Sequence, residues 1–198
     1  MGGKLAALGG SWWPLADMII GKPSPNYGYY GQKPRWRAVT WHIAEGTLDG
    51  TLSWLTSPES QASAHVVIAR DGTIYNLVSL DDPAWAQGNI CVPDRSNPVI
   101  AETAAHDINP NLVSYSIECV GYSSWGRGGS LTQPQADALV RVTALLCYHG
   151  QLTVDRTHIV GHYQWDSCTR SGCPGYSAEE WREWVGRAAA LTQLWRGW

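Results

Sequence analysis

The sequence predicts a single α/β domain, a central mixed β-sheet flanked by helices. Three observations carry that expectation. Short apolar runs recur at residues 38–43, 64–69, 73–79, 114–120 and 158–161. Helical stripes are interleaved with them, which favours one sheet with helices packed on it. The 198 residues suffice for one well-buried core and are short for two.

The elements follow in order. Residues 22–36 form a loop rich in Pro, Gly and Tyr, so residues 1–36 are expected to be an N-terminal extension packed on a domain over 37–198. Ala38 to Ile43 reads as a buried strand, and Gly46 to Trp54 carries a weak helical pattern that ends before Pro58. Ala64–Ala69 and Thr73–Ser79 are β-rich and joined by Arg70-Asp71-Gly72, where Asp-Gly signals a hairpin. Residues 87–112, with Pro93, Pro98 and Pro110, read as a long irregular polar loop, and Ser114–Val120 as a strand. Thr132 with Gln135 forms an expected capping box for a helix striped by Ala136, Leu139, Val140, Thr143, Leu146 and Cys147 and stopped at Gly150. His158–Gly161 is a short strand. Ser177 with Glu180 caps a terminal helix striped by Trp181, Trp184, Val185, Ala188 and Ala189.

Composition narrows the function classes. Hydrophobic residues at 44% and charged residues at 16% describe a globular chain. A net charge of −3 argues against a nucleic-acid partner, which needs a basic face. No apolar run is long enough to insert in a membrane. The stretch from Leu5 to Ala16 is too short and broken for a signal peptide. Five cysteines without regular spacing (Cys91, Cys119, Cys147, Cys168, Cys173) are expected to be mostly free thiols, with Cys168 a spare one. Twelve Trp and nine Tyr stand beside no Phe at all. Most fill the core; the remainder can stack on sugar rings, since an indole offers a flat apolar face with a polar edge.

The chemistry rests first on His42, His162 and Cys173. Two imidazoles and a thiolate make a three-ligand zinc site whose fourth position is open to water, the arrangement of a zinc hydrolase rather than of a structural site. Taken alone, His42 in an apolar strand also fits a hydrogen-bonded core histidine. His162 and Cys173 lie eleven apart without helical register, so a loop must bring them together.

From about Ala38 to Gly175 the chain resembles the zinc-dependent N-acetylmuramoyl-L-alanine amidases, the fold of phage amidase endolysins, wall-recycling amidases and peptidoglycan recognition proteins. Six blocks carry the likeness in order: Thr40-Trp41-His42, the run from Ser63 to Tyr75, Asp82-Pro83-Ala84-Trp85 with Gly88-Asn89, Ser116-Ile117-Glu118, Val160-Gly161-His162, and Cys173-Pro174-Gly175.

The resemblance implies roles. His42, His162 and Cys173 would bind Zn2+, and Glu118 would be the general base. Ser171 stands where many relatives have Lys, so Ser171 or its neighbour Arg170 would stabilise the oxyanion. Trp85 and Asn89 would contact substrate, and His65 would either line the cleft with them or pack in the core. Ala64 stands where some relatives have a catalytic Tyr, and Gln87 where many have His; His106 is a distant candidate to replace the latter. The substrate would be bacterial peptidoglycan, cut between N-acetylmuramic acid and L-alanine by a monomer. The enzyme would be made in the host bacterial cytoplasm and released to the wall by a holin, as endolysins are. The alternatives are a cytoplasmic muropeptide-recycling amidase and a non-catalytic recognition module. A thiol peptidase fits less well, because Cys173 is followed by Pro174 and begins no predicted helix.

Overall fold

The structure, a computed structural model, describes residues 15, 18–29, 31–88, 90–123 and 131–197. Six strands form one sheet: β1 (Ile19–Gly21), β2 (Ala38–Ile43), β3 (Val66–Ile68), β4 (Ile74–Asn76), β5 (Ser114–Cys119) and β6 (Ile159–Gly161). Their spatial order is β1-β4-β3-β5-β2-β6. β3, β5, β2 and β6 are mutually parallel; β4 turns back antiparallel to β3, and β1 runs parallel to β4. The helices are α1 (Leu48–Leu55), α2 (Pro98–Ala105), α3 (Gln133–His149), α4 (His162–Trp165) and α5 (Ala178–Arg196).

Side-chain alternation along the two central strands sorts apolar from polar residues. Val39, Trp41 and Ile43 of β2, with Tyr115, Ile117 and Cys119 of β5, join the core built with α3 and α5. Opposite alternation points their partners Thr40, His42, Ser116 and Glu118 to the other face. There Thr40 Oγ1 pairs with Ser114 Oγ at 2.7 Å and accepts a hydrogen bond from Trp165 Nε1 at 2.9 Å. Smaller apolar clusters cover the rest: one from Leu52 and Leu55 of α1 with Val67, another from Val99 and Ile100 of α2 with Ala38 and Trp165.

Trp41 anchors the large core. Its ring stacks on Trp181 at 4.5 Å with planes 5° apart, and the Arg156 guanidinium lies 3.7 Å over the other partner of that stack, Trp181. Trp41 Nε1 donates to Thr143 of α3 at 3.0 Å. One side chain thus fixes β2 against both long helices, and its neighbour in sequence is His42.

The structure departs from the sequence reading in four places. Residues 87–112 are not one irregular loop: Asn97 accepts from the Val99 and Ile100 amides, Pro98 opens α2, and a single 3-10 turn spans Pro110–Leu112. That start was signalled by Asn-Pro before an apolar run. The first 36 residues contribute β1 to the sheet. Thr132 accepts from the Gln135 amide, but the Gln135 side chain does not return to complete a box; its Nε2 donates instead to the Ile68 and Val120 carbonyls at 3.0 and 2.9 Å. At Ser177 and Glu180 both halves of the box are present.

The fourth departure concerns the thiols. Cys91 and Cys168 form a disulfide with Cα atoms 5.9 Å apart, so Cys168 is no spare thiol. Cys119 and Cys147 are buried and free, and Cys173 is free. The pairing joins residues 77 apart, a separation that carries no local signal. Closing so long a loop restrains the unfolded chain, by about 2–4 kcal/mol. The Cys91→Ser/Cys168→Ser double variant is expected to lose that much stability in urea titration. Reductant should bring the unaltered protein to the same midpoint and leave the double variant unmoved.

Candidate metal and catalytic site

Register builds the site. β2 and β5 pair with His42 directly beside Glu118, each one residue from the carboxyl end of its strand. β6 lies on the other side of β2, with Gly161 beside Trp41, and His162 follows at once as the first residue of α4. Parallel strands thus deliver three functional side chains to one end of the sheet, where α/β folds place their clefts. Gly161 has no room for a side chain: a Cβ there would come within 2.5 Å of the Tyr163 ring and 3.0 Å of Pro174 Cδ.

The third donor comes from a loop. Asp166 winds residues 166–170, accepting from the Cys168 and Thr169 amides at 3.0 Å each. The Cys173 carbonyl accepts from the Tyr163 amide at 3.0 Å, and the Ile43 amide points at Cys173 Sγ from 3.4 Å. Cys173 is therefore tied both to α4 and to the end of β2.

One ligand atom each from His42, His162 and Cys173 lies within 4.8 Å of the others. The two Nδ1 atoms are 2.9 Å apart. His162 Nε2–H donates to the Gln87 carbonyl at 3.2 Å, and burial lowers the pKa of that ring to about 4. His162 is therefore neutral at pH 7, with its Nδ1 lone pair facing His42. A carbonyl on the far nitrogen is the usual means of orienting a metal-binding imidazole. Burial holds His42 well below the ordinary histidine range, the state a ligand needs. Burial also pushes the Cys173 thiol up. Two neutral imidazoles and a thiol converging in a buried pocket fit a zinc ion, which would draw the thiolate out.

Glu118 stands beside this group. Its Oε1 lies 3.7 Å from His42 Nδ1, and its side chain is 15% exposed, enough to meet solvent in the cavity. Its Oε2 has no partner. Burial pushes its pKa up to about 8, while Arg170 pulls it down. A cation on the neighbouring donors would pull it further toward the ordinary carboxylate range.

A cavity of about 330 Å³ opens over these groups. His42, Glu118, His162, Arg170, Cys173 and Trp85 all line it. Ser171 is exposed and outside the wall, whereas its neighbour Arg170 is in it. His65 is fully buried elsewhere: it packs against Trp36 and Tyr115, donates from Nε2 to the Asp82 carbonyl at 3.0 Å, and accepts at Nδ1 from the Ser116 amide at 3.0 Å. His65 therefore ties β3 to β5 instead of facing the cleft. His106 ends α2 as its C-cap and is not in the wall. Asn89 lies outside the described residues. Sequence reasoning missed the Gln87 carbonyl, which no side-chain motif marks. It also missed Trp54, which lines the cavity from α1.

The profile of the family described as N-acetylmuramoyl-L-alanine amidase (Amidase_2) matches residues 32–176. The chain belongs to this family. The N-acetylmuramoyl-L-alanine amidase A of Achromobacter lyticus is 34% identical over 71 residues, which are 35% of this chain and 40% of that protein. The match thus spans well under half of the curated relative. AmpD shares the fold with a TM-score of 0.61 at 20% identity, over 85% of this chain and 94% of its own. A mutant endolysin from Bacillus subtilis does so with a TM-score of 0.58 at 16% identity, over 86% and 97%. At these identities the likeness speaks for the fold of the amidase family alone.

The donor set of this family member predicts its metal behaviour. The unaltered protein is expected to retain about one zinc per chain after dialysis, and Cys173→Ala to retain almost none. Glu118→Gln should keep its zinc. Elemental analysis checks all three; equal zinc in Cys173→Ala and the unaltered chain would remove Cys173 from the ligand set.

Proposed function

We propose that this chain is a zinc-dependent peptidoglycan hydrolase that cuts the amide between N-acetylmuramic acid and L-alanine of the stem peptide. The observation that carries the reading is the register pair His42–Glu118 beside His162 and Cys173, in a cavity open to solvent. It joins a metal donor set to a carboxylate with a free oxygen.

A zinc ion held by His42, His162 and Cys173 would polarise the scissile carbonyl and acidify water beside it. Glu118 accepts the proton of the attacking water and returns it to the departing amine of L-alanine. Arg170, in the cavity wall, offers positive charge to the oxygen on which negative charge builds. Ser171, outside the wall, takes no part. Trp85 is held rigidly for contact with substrate: its amide donates to Ser63 Oγ at 2.9 Å and its Nε1 to the Gly28 carbonyl at 2.7 Å. All these groups come from one chain, so a monomer suffices.

The chain acts, in this reading, as a phage endolysin, made in the host cytoplasm and released to the wall. The Cys91–Cys168 disulfide supports a site of action outside the reducing cytoplasm. Among the described residues no helix is long and apolar enough to cross a membrane.

The test is digestion of purified sacculi with and without a zinc chelator, followed by mass spectrometry. Stem peptides beginning with L-alanine should be released, lost on chelation and restored by zinc. Glu118→Gln is expected to lower kcat by about 10²–10⁴ with zinc still bound. Full activity in that variant would overturn the role of Glu118. Cleavage of soluble anhydro-muropeptides but not of intact sacculi would favour a recycling amidase over an endolysin. Zinc binding without release of peptide would favour a recognition module.

A further inference from the structure

Trp54 has an exposure that its neighbours do not explain. Helix α1 buries Thr51, Leu52 and Leu55 against the sheet. Trp54 sits off that stripe and is 60% exposed. Among the described tryptophans it alone is exposed; the others are buried or half-buried. Leaving an indole in water forgoes one of the largest apolar burials a side chain can make. Yet Trp54 does not project at random, because it forms part of the cavity wall.

Its setting is built for a flat ligand. Gly50 lies one turn before Trp54 on the same helix face and also lines the cavity, as does Gly46 before the helix. The wall continues through Ala62 and Ser63 to Trp85, so small residues accompany two indoles. Segment 24–28 braces this wall from behind. Ser24 Oγ donates to the Leu55 carbonyl at 2.6 Å, and Asn26 Nδ2 donates to the Ser57 and Ala62 carbonyls at 2.7 and 2.9 Å. The platform is therefore rigid.

Charge divides the cavity. The wall made by α1, residues 62–63 and Trp85 contributes no charged side chain. The charged lining residues Glu45, Glu118 and Arg170 come from the segments at the strand ends and from the 166–173 loop. A substrate with a neutral N-acetylated sugar beside its scissile amide presents a face that matches the uncharged wall. The sugar suits the uncharged aromatic wall, because a pyranose presents a C–H face to an indole.

We propose that Trp54 is a specificity-determining residue that stacks on an N-acetylated amino sugar of the glycan strand, selecting substrate by its sugar rather than its peptide. The inference rests on the amidase reading only for the identity of the glycan.

The test titrates chitotetraose, which has no stem amide, into the unaltered protein, Trp54→Ala and Trp54→Tyr, following tryptophan fluorescence and calorimetry. Because Trp54 is exposed, the variants should keep the circular dichroism of the parent. Trp54→Ala is expected to raise Kd about tenfold, and Trp54→Tyr, which keeps an aromatic face, to restore most of the affinity. On a soluble disaccharide-tetrapeptide the same loss should enter KM, with kcat near that of the parent. Unchanged sugar affinity in Trp54→Ala, no sugar binding by the parent, or weakened binding of free stem peptide instead would each overturn the inference. Trp54-dependent sugar binding without release of stem peptide from sacculi would leave it standing and overturn the amidase reading alone.

Discussion

The site depends on the pairing of β2 with β5. The two strands lie parallel with Ala38 beside Ser114 and His42 beside Glu118. Side chains alternate between faces along a strand, so a slip of one residue would turn every functional group into the core and every core group outward. Register is held because the faces differ so much. One carries Trp41, Tyr115 and Ile117, all fully buried against the long helices; the other carries Thr40, Ser116, His42 and Glu118. Exchanging these faces would bury a carboxylate and an imidazole among aliphatic side chains, at a cost no local adjustment offsets. The Trp41–Trp181–Arg156 stack locks the apolar side, and the metal donors inherit their position from it.

Much of this was legible in the sequence, for local reasons. Ala38–Ile43 and Ser114–Cys119 announce themselves as apolar runs, Asp71-Gly72 marks the hairpin between β3 and β4, and Ser177 with Glu180 marks the start of α5. What escaped was decided by partners distant in sequence. β1 has three residues and exists because β4 offers it an edge. The Cys91–Cys168 bond joins segments brought together only by the finished fold. Gln135 has the spacing of a capping box, but the Ile68 carbonyl at the end of β3 and the Val120 carbonyl just after β5 accept from its side chain instead. His65 illustrates the same limit within the site. Its motif left cleft lining and core packing both open, and only the folded chain shows Ser116 and the Asp82 carbonyl engaging both ring nitrogens.

The electrostatics of the donor group point one way. Burial disfavours the charged form of every member: it lowers the pKa of His42 and His162 and raises that of Glu118 and Cys173. Burial alone thus favours the neutral form of each group, and Glu118 Oε2 and His42 Nε2 have no hydrogen-bond partner in the protein. A dication reverses the balance by favouring thiolate and carboxylate together. Arg170 supplies positive charge to the same pocket without the desolvation of a buried lysine, because it is exposed at the rim.

Two donors sit on the sheet and its immediate continuation, while the third hangs on a loop. That asymmetry explains why residues 87–94 and 164–168 are joined so heavily. The Asp94 amide donates to the Gln164 carbonyl at 2.8 Å, Gln164 Nε2 donates to Asp94 Oδ2 at 2.9 Å, Ser167 Oγ donates to the Val92 carbonyl at 2.9 Å, and the disulfide closes the group. The same upper segment carries the Gln87 carbonyl that orients His162. A shift there would move the tautomer-setting acceptor of one ligand and the loop that carries Arg170 and Cys173 together. Sheet register thus fixes where His42 lies, and these cross-links hold His162 and Cys173 against it.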